Sequence, residues 1–336
     1  MKIGRCRLLF LLWPVGQAVK TAASHAVNMG SIPVRVTKQI RNFYRKGLSF
    51  GFICLSGFFL IDATGEEGLF MQSDRDKLLL LIERLRMACV SSFSDNVVGI
   101  YLHGSVAMRC FSWLTGDVDC LVVVRQALQA SAKLRFIQAC LAMEPLCPAK
   151  GLELSVVTVQ SCAVPERNPC FELHFSPMYA SAYRQDMVGQ LSRMPKRDTD
   201  LVAHFAMVRA RGITLMGKKA EHLFAPIPRE WILDYLQAEM EGAATSKNDH
   251  PVYYVLNACR SLAFLEKNEF LSKQEGGYWG MQHLPEKYTS LLKAALAAYG
   301  GGSPMQIVDY PMPEFWAEIK KRWQQGRYIA KKSVLL

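Results

Sequence analysis

Two aspartates one residue apart, Asp117 and Asp119, stand at the head of an apolar run, residues 120–124. Upstream, Gly104-Ser105 closes another apolar run, Val97–His103. Short runs rich in β-branched residues predict strands rather than helices. Side chains alternate along a strand, so Asp117 and Asp119 share one face while Val118 and Cys120 take the other. Two neighbouring carboxylates on one face repel each other and call for a cation. Hard oxygen donors suit magnesium, which keeps several waters and sits with nucleotide phosphates. Gly104 lets the backbone approach a phosphate closely, and the N–H groups after it can point at that anion. The pattern predicts a nucleoside triphosphate held by a metal platform and a loop.

A third acid stands in the next strand-like run, residues 151–159, where Glu153 shares a face with Ser155 and Val157. A lone acid in an apolar strand lies at an edge or is used. Other elements must hold these strands. Ser73 with Asp76 resembles a capping box opening a helix whose apolar face is Leu78, Ile82, Leu85 and Cys89. Residues 126–143 read as a helix ended by Pro145 and Pro148. Asp198 and Asp200 begin another, with Leu201, Phe205 and Val208 on one face, and N-cap chemistry accounts for both acids. After a linker-like stretch at 217–228, four segments have helical apolar spacing: 229–241, 252–267, 288–299 and 314–330. Their aromatic stripes, such as Trp316 and Trp323, read as core.

A chain of 336 residues is long enough for about two domains. Its net charge is +11, but residues 1–70 hold nine basic against three acidic residues, which leaves only +5 for residues 71–336. The basic surplus is no stripe across the chemistry, which argues against a nucleic-acid partner. Ten scattered cysteines without a CxxC pair read as buried free thiols of a reducing cytosol, and seven histidines show no ligand spacing. Near the start, basic residues precede LLFLLWPVG and a small-residue stretch, the pattern of a secretory signal, while the apolar run 48–61 is short for a bilayer span.

The run GSVAMRCFSWLTGDVDCLVVV, residues 104–124, resembles the GS…DxD signature of the polymerase-β-like nucleotidyltransferases. Within that superfamily, CFELHF at 170–175, PVYYVLNACR at 251–260 and LSKQEGGYWGMQHLPEKY at 271–288 are similar to segments of the aminoglycoside O-adenylyltransferases that act on spectinomycin and streptomycin. The resemblance spans about residues 75–300.

It implies an α+β fold: an N-terminal nucleotidyltransferase domain at 71–228, with a mixed sheet flanked by helices, and a C-terminal α-helical domain at 229–336. The implied reaction is ATP-dependent O-adenylylation of an aminoglycoside or aminocyclitol antibiotic. Asp117, Asp119 and Glu153 would hold Mg2+, with Glu153 also the general base. Gly104, Ser105, Lys273 and Tyr288 would bind ATP, and Asp249 the cationic drug. A cytoplasmic monomer is expected, without nucleic acid or stable membrane association. An exported enzyme of this kind would lack ATP, so residues 1–70 read as a poorly ordered or mis-annotated upstream extension, with Met71 the functional start. Three departures stand out: Gly116 where relatives usually have Ser, Arg109 where they often have Gly, and Ser176-Pro177-Met178 in place of Gly-Glu-Trp. Two other readings stay open, a nucleotidyltransferase acting on RNA ends or a protein, and a non-catalytic nucleotide-binding module.

Overall fold

The computed structural model describes residues 60–61, 67–68, 73–245 and 250–333. The chain divides into two compact units, residues 1–80 and 81–336. In the first, strands β1 (Leu60–Ile61) and β2 (Glu67–Gly68) pair antiparallel, and helix α1 (Asp74–Phe93) begins. Ser73 caps it: the Asp76 N–H donates to Ser73 Oγ at 3.3 Å, and that hydroxyl donates to Asp76 Oδ2 at 2.8 Å. The remaining expectations for the start of the chain, Met71 included, lie outside the described residues.

The second unit is built on a five-stranded sheet of order β6-β5-β4-β3-β7. Its strands are β3 (Val97–His103), β4 (Val118–Val124), β5 (Leu152–Thr158), β6 (Leu173–Phe175) and β7 (Ile213–Met216). β4 and β5 run parallel and the other pairs antiparallel, so the sheet is mixed as expected. Helices α2 (Gly104–Ala107), α3 (Ala130–Met143), α4 (Val159–Ala163), α5 (Pro177–Gln185), α6 (Met187–Arg193) and α7 (Asp200–Arg211) connect the strands.

Tyr101, Leu121, Val123 and Val157 pack on one side of the sheet against Leu201, Phe205 and Val208 of α7, the apolar face expected for that helix. On the other side Cys120 lies beside Cys89 of α1 and Cys140 of α3. Each fully buried Leu, Val or Phe contributes about 1.5–3 kcal/mol. Two boundaries differ from expectation. The buried stripe of α1 in this unit starts at Leu81 and continues through Leu85 and Cys89, leaving Leu78 and Ile82 partly covered; the unbroken apolar run 78–82 gives periodicity nothing with which to fix the phase. Helix α3 begins at Ala130 rather than residue 126, because the Gln126 N–H donates to Asn96 Oδ1 and the Leu128 N–H to Glu172 Oε2, holding that stretch as a turn.

The rest of the unit is helical: α8 (Arg229–Thr245), α9 (Pro251–Lys267), α10 (Lys273–His283), α11 (Thr289–Tyr299) and α12 (Met312–Ser333). They share a core around Leu256, Cys259, Leu262, Leu292 and Phe315, to which α7 adds Val202 and Ala206. Helix α7 thus packs on the sheet with one face and on the helices with another. Helix α10 runs against its composition, since Gly276, Gly277 and Gly280 weaken a helix. A capping box between Ser272 and Glu275 starts it. Its glycines serve close approach: a Cβ on Gly276 would lie 2.7 Å from Arg260 Cβ, and one on Gly280 2.7 Å from Cys259 Sγ. Among the described residues no helix is long and apolar enough to cross a membrane.

Candidate active site

The acids gather through strand register. Across the central three strands His103 stands opposite Asp119, and Asp119 opposite Glu153. Adjacent strands are about 4.8 Å apart, so the row is continuous. Asp117 lies just ahead of β4, in the turn leaving α2. Gly104 has φ +58°, and a Cβ there would fall 1.7 Å from Asp119 Oδ2. Glycine is therefore required for both backbone and space. The Ser105 hydroxyl donates to the Asp117 carbonyl at 3.3 Å, and the Cys110 N–H donates to the Ser105 carbonyl at 3.0 Å. Gly104, Ser105, Asp117, Asp119 and Glu153 form one cluster.

Its electrostatics are unbalanced. Desolvation, then Asp117 and Glu153, push the Asp119 carboxyl up to about 8, while Lys273 and Arg260 act in the opposite sense. Glu153 is raised by desolvation and by Asp117, Asp200 and Asp198. Among the described residues no three His, Cys, Asp or Glu side chains make a ready-built metal cage. A magnesium ion does not need one, since it takes part of its shell from water and phosphate. Crowded, desolvated carboxylates are what a divalent cation relieves, so the donor set fits Mg2+.

Lys273 is the first residue of α10 and is brought to the acids from the helical half. Its Nζ lies 4.6 Å from the centre of the Tyr253 ring and 6.0 Å from that of Tyr299. Desolvation and then Arg260 lower its ammonium to about 8, against the pull of Asp117 and Asp119. A cation at a helix N-terminus, beside a second cation, is built for a multiply charged anion.

Sequence reasoning missed several neighbours. Arg260 ends the PVYYVLNACR motif and donates to Asn257 Oδ1 at 2.5 Å. Tyr299 lies beside Cys110 and Asp117, bringing α11 to the loop after Ser105. Asp198 does cap locally, accepting from the Asp200 N–H at 2.9 Å. Capping is not the whole account of these acids, because both act on Glu153. Asp200 is itself pushed up to about 6 by desolvation, Asp198 and Glu239, and Glu239 accepts from the Tyr253 hydroxyl at 3.0 Å. An acidic wall therefore runs from Glu153 toward α8. The only signal for it was the density of acids at 198–200.

Tyr288 is a correction. It is 1 % exposed in the helical core, packs edge-on against Phe315 and donates its hydroxyl to the Glu314 carbonyl at 2.9 Å. Nothing of it is left for a nucleotide. Asp249 lies outside the described residues. The departures are resolved in part. A Cβ at Gly116 would lie 2.6 Å from the Ser112 carbonyl, so the tight turn requires glycine there. Arg109 is exposed and holds φ +58°, a left-handed backbone angle that is strained for a residue with a Cβ. Met178, in place of the relatives' Trp, is 80 % exposed on α5.

Residues 222–315 match the family model of the aminoglycoside adenylyltransferase C-terminal domain. A curated relative, the spectinomycin 9-adenylyltransferase of Campylobacter jejuni, is 26% identical over 213 residues, covering 61% of this chain and 79% of the relative. Among solved structures, a spectinomycin adenyltransferase from Enterococcus faecialis, crystallised with ATP and spectinomycin, shares the fold with a TM-score of 0.61 at 18% identity, over 73% of this chain and 99% of that one. The chain is thus similar to the aminoglycoside adenylyltransferases, in residues 222–315 by the family model and over most of its length by the curated relative, and it shares the fold of the solved one.

Proposed function

We propose that this enzyme transfers the adenylyl group of ATP to a hydroxyl of spectinomycin, streptomycin or both, at the 9- or 3''-position, releasing pyrophosphate and conferring resistance. The observation that carries the reading is the row Asp119–Glu153 beside Asp117, faced by Lys273 and Arg260 from the helical half. Carboxylates and a polyphosphate-binding cation pair meet there. The curated relative's name and the ligands of the solved relative support the choice of drug and of ATP.

Glu153 takes the proton from the attacking hydroxyl, a role its raised carboxyl suits. The oxygen then bonds to the α-phosphorus as the bond to the β-phosphate oxygen breaks. Gly104 and Ser105 hold the phosphate tail, and Lys273 with Arg260 receives the charge of departing pyrophosphate. Asp117 and Asp119, with Glu153 alongside, would hold Mg2+, which when bound would neutralise charge on the phosphates. The acidic wall of Asp198, Asp200 and Glu239 gives a cationic drug its counter-charge, a role Asp249 would share.

In the same reading, residues 71–228 act as the nucleotidyltransferase domain and 229–336 as the helical domain closing on it. The enzyme works in the cytoplasm as a monomer, without nucleic acid. Assaying purified protein with ATP and magnesium against spectinomycin, streptomycin and kanamycin tests this. Pyrophosphate release with either of the first two is expected; release with none of them rejects the proposed reaction.

A further inference from the structure

The ion pair between Arg211 and Glu275 lies outside the acid cluster, yet it reaches the site from behind. Arg211 is the last residue of α7, the helix whose other end presents Asp198 and Asp200 to Glu153. Its guanidinium meets Glu275 bidentately, Nη1 to Oε2 at 2.8 Å and Nη2 to Oε1 at 3.1 Å. Nη1 also donates to the Phe270 carbonyl at 2.9 Å. Glu275 in turn closes the first turn of α10: its Oε2 accepts from the Ser272 N–H at 2.7 Å, and its own N–H donates to Ser272 Oγ at 3.0 Å. Lys273 sits inside that closed turn, between Ser272 and Glu275. One guanidinium thus grips both the strand of chain entering α10 and the carboxylate that caps it.

We propose that Arg211 is a positioning residue for ATP, acting through Glu275 to fix the turn that carries Lys273 against the phosphate site. The proposal rests on the reading that Lys273 serves the nucleotide phosphates. Helix α7 thereby holds the acidic side of the site at its N-terminal end and the cationic side at its C-terminal end. A rigid element spanning both fixes the separation between the acids that flank Glu153 and the phosphate-binding cation, and displacement by about 1 Å can cost up to roughly a hundredfold in rate. The side chains of the pair are 30% and 40% exposed, and pairs of that kind add at most about 1 kcal/mol to stability. Loss of the pair should therefore show in kinetics more than in melting.

Steady-state kinetics of the full chain test this with Arg211→Met, Lys273→Met, their double variant, and the charge swap Arg211→Glu/Glu275→Arg. Arg211→Met is expected to raise KM for ATP about tenfold, with KM for the antibiotic and the melting temperature little changed. The double variant should be no worse than Lys273→Met alone, because Arg211 acts only through that lysine. The swap should recover part of the loss. An unchanged KM for ATP in Arg211→Met, or losses that multiply in the double variant, overturns the positioning role. If Lys273→Met itself leaves ATP kinetics intact, the reading of Lys273 fails and this proposal fails with it. If Lys273→Met is impaired and Arg211→Met is not, only the positioning role falls.

Discussion

Asp119 and Glu153 stand directly opposite one another on the parallel strands β4 and β5, which puts two carboxylates of different strands on one face at one level. Residues far apart in the chain become a single charged group through register alone. Burial raises both carboxyls, and repulsion adds to it, from Asp117 and Glu153 on Asp119 and from Asp117, Asp200 and Asp198 on Glu153.

That repulsion has a consequence for stability. The folded-state Asp119 carboxyl lies near 8 against an ordinary 3.8, so the native state keeps a proton that the unfolded state has already released. Stability contributed at this residue is therefore lost as pH rises from about 4 to about 8. In metal-free protein, Asp119→Asn should melt higher than wild type, by an amount that grows with pH across this window. Millimolar magnesium should raise the wild-type melting temperature at pH 8 and leave Asp117→Asn/Asp119→Asn unmoved. Thermal shift at several pH values checks both.

Glu153→Gln separates binding from chemistry. The amide keeps the shape and removes the proton acceptor, so ATP should bind with near-normal affinity while turnover falls by about 10²–10⁴-fold. Calorimetric ATP titration beside initial rates reads the two independently. Turnover near that of wild type would reject the base assignment.

Lys273 predicts an alkaline limb. Its ammonium is lowered to about 8 in the protein without nucleotide, so the cation is present below that pH and lost above it. The kcat/KM for ATP should therefore decline as pH rises through about 8. Lys273→Arg, which stays charged, should move that limb upward, and Lys273→Met should be low throughout.

The sheet was legible where composition was strongest. Val97–His103 and Val118–Val124 are short runs rich in β-branched residues, and their bounds agree with the strands observed. Helix α10 was not legible as a helix, because its three glycines carry the composition of a loop and their purpose lies in the neighbouring helices. Tyr288 was misplaced because a motif supplies identity but not direction, and its hydroxyl faces Glu314 rather than the acids. Arg260 and Tyr299 come from different helices and acquire meaning only when those helices meet the loop after Ser105.

Gly276→Ala tests the close approach that places Lys273. The added Cβ would meet Arg260 at 2.7 Å from its Cβ and 2.9 Å from its backbone nitrogen. Backbone cannot yield as a flexible side chain does, so a loss of about 1–3 kcal/mol is expected. Chemical denaturation measures it, and KM for ATP should rise alongside because Arg260 and Lys273 move together. A variant as stable as wild type would mean that α10 shifts freely on α9.

Mass spectrometry of spectinomycin and streptomycin after incubation with purified enzyme, ATP and magnesium tests the central claim most directly. Wild-type enzyme should yield a drug carrying one added adenylyl group, and Asp117→Asn/Asp119→Asn should leave both drugs unmodified. Both drugs unmodified by a folded wild-type enzyme, or equal adenylylation by the double variant, would contradict the account.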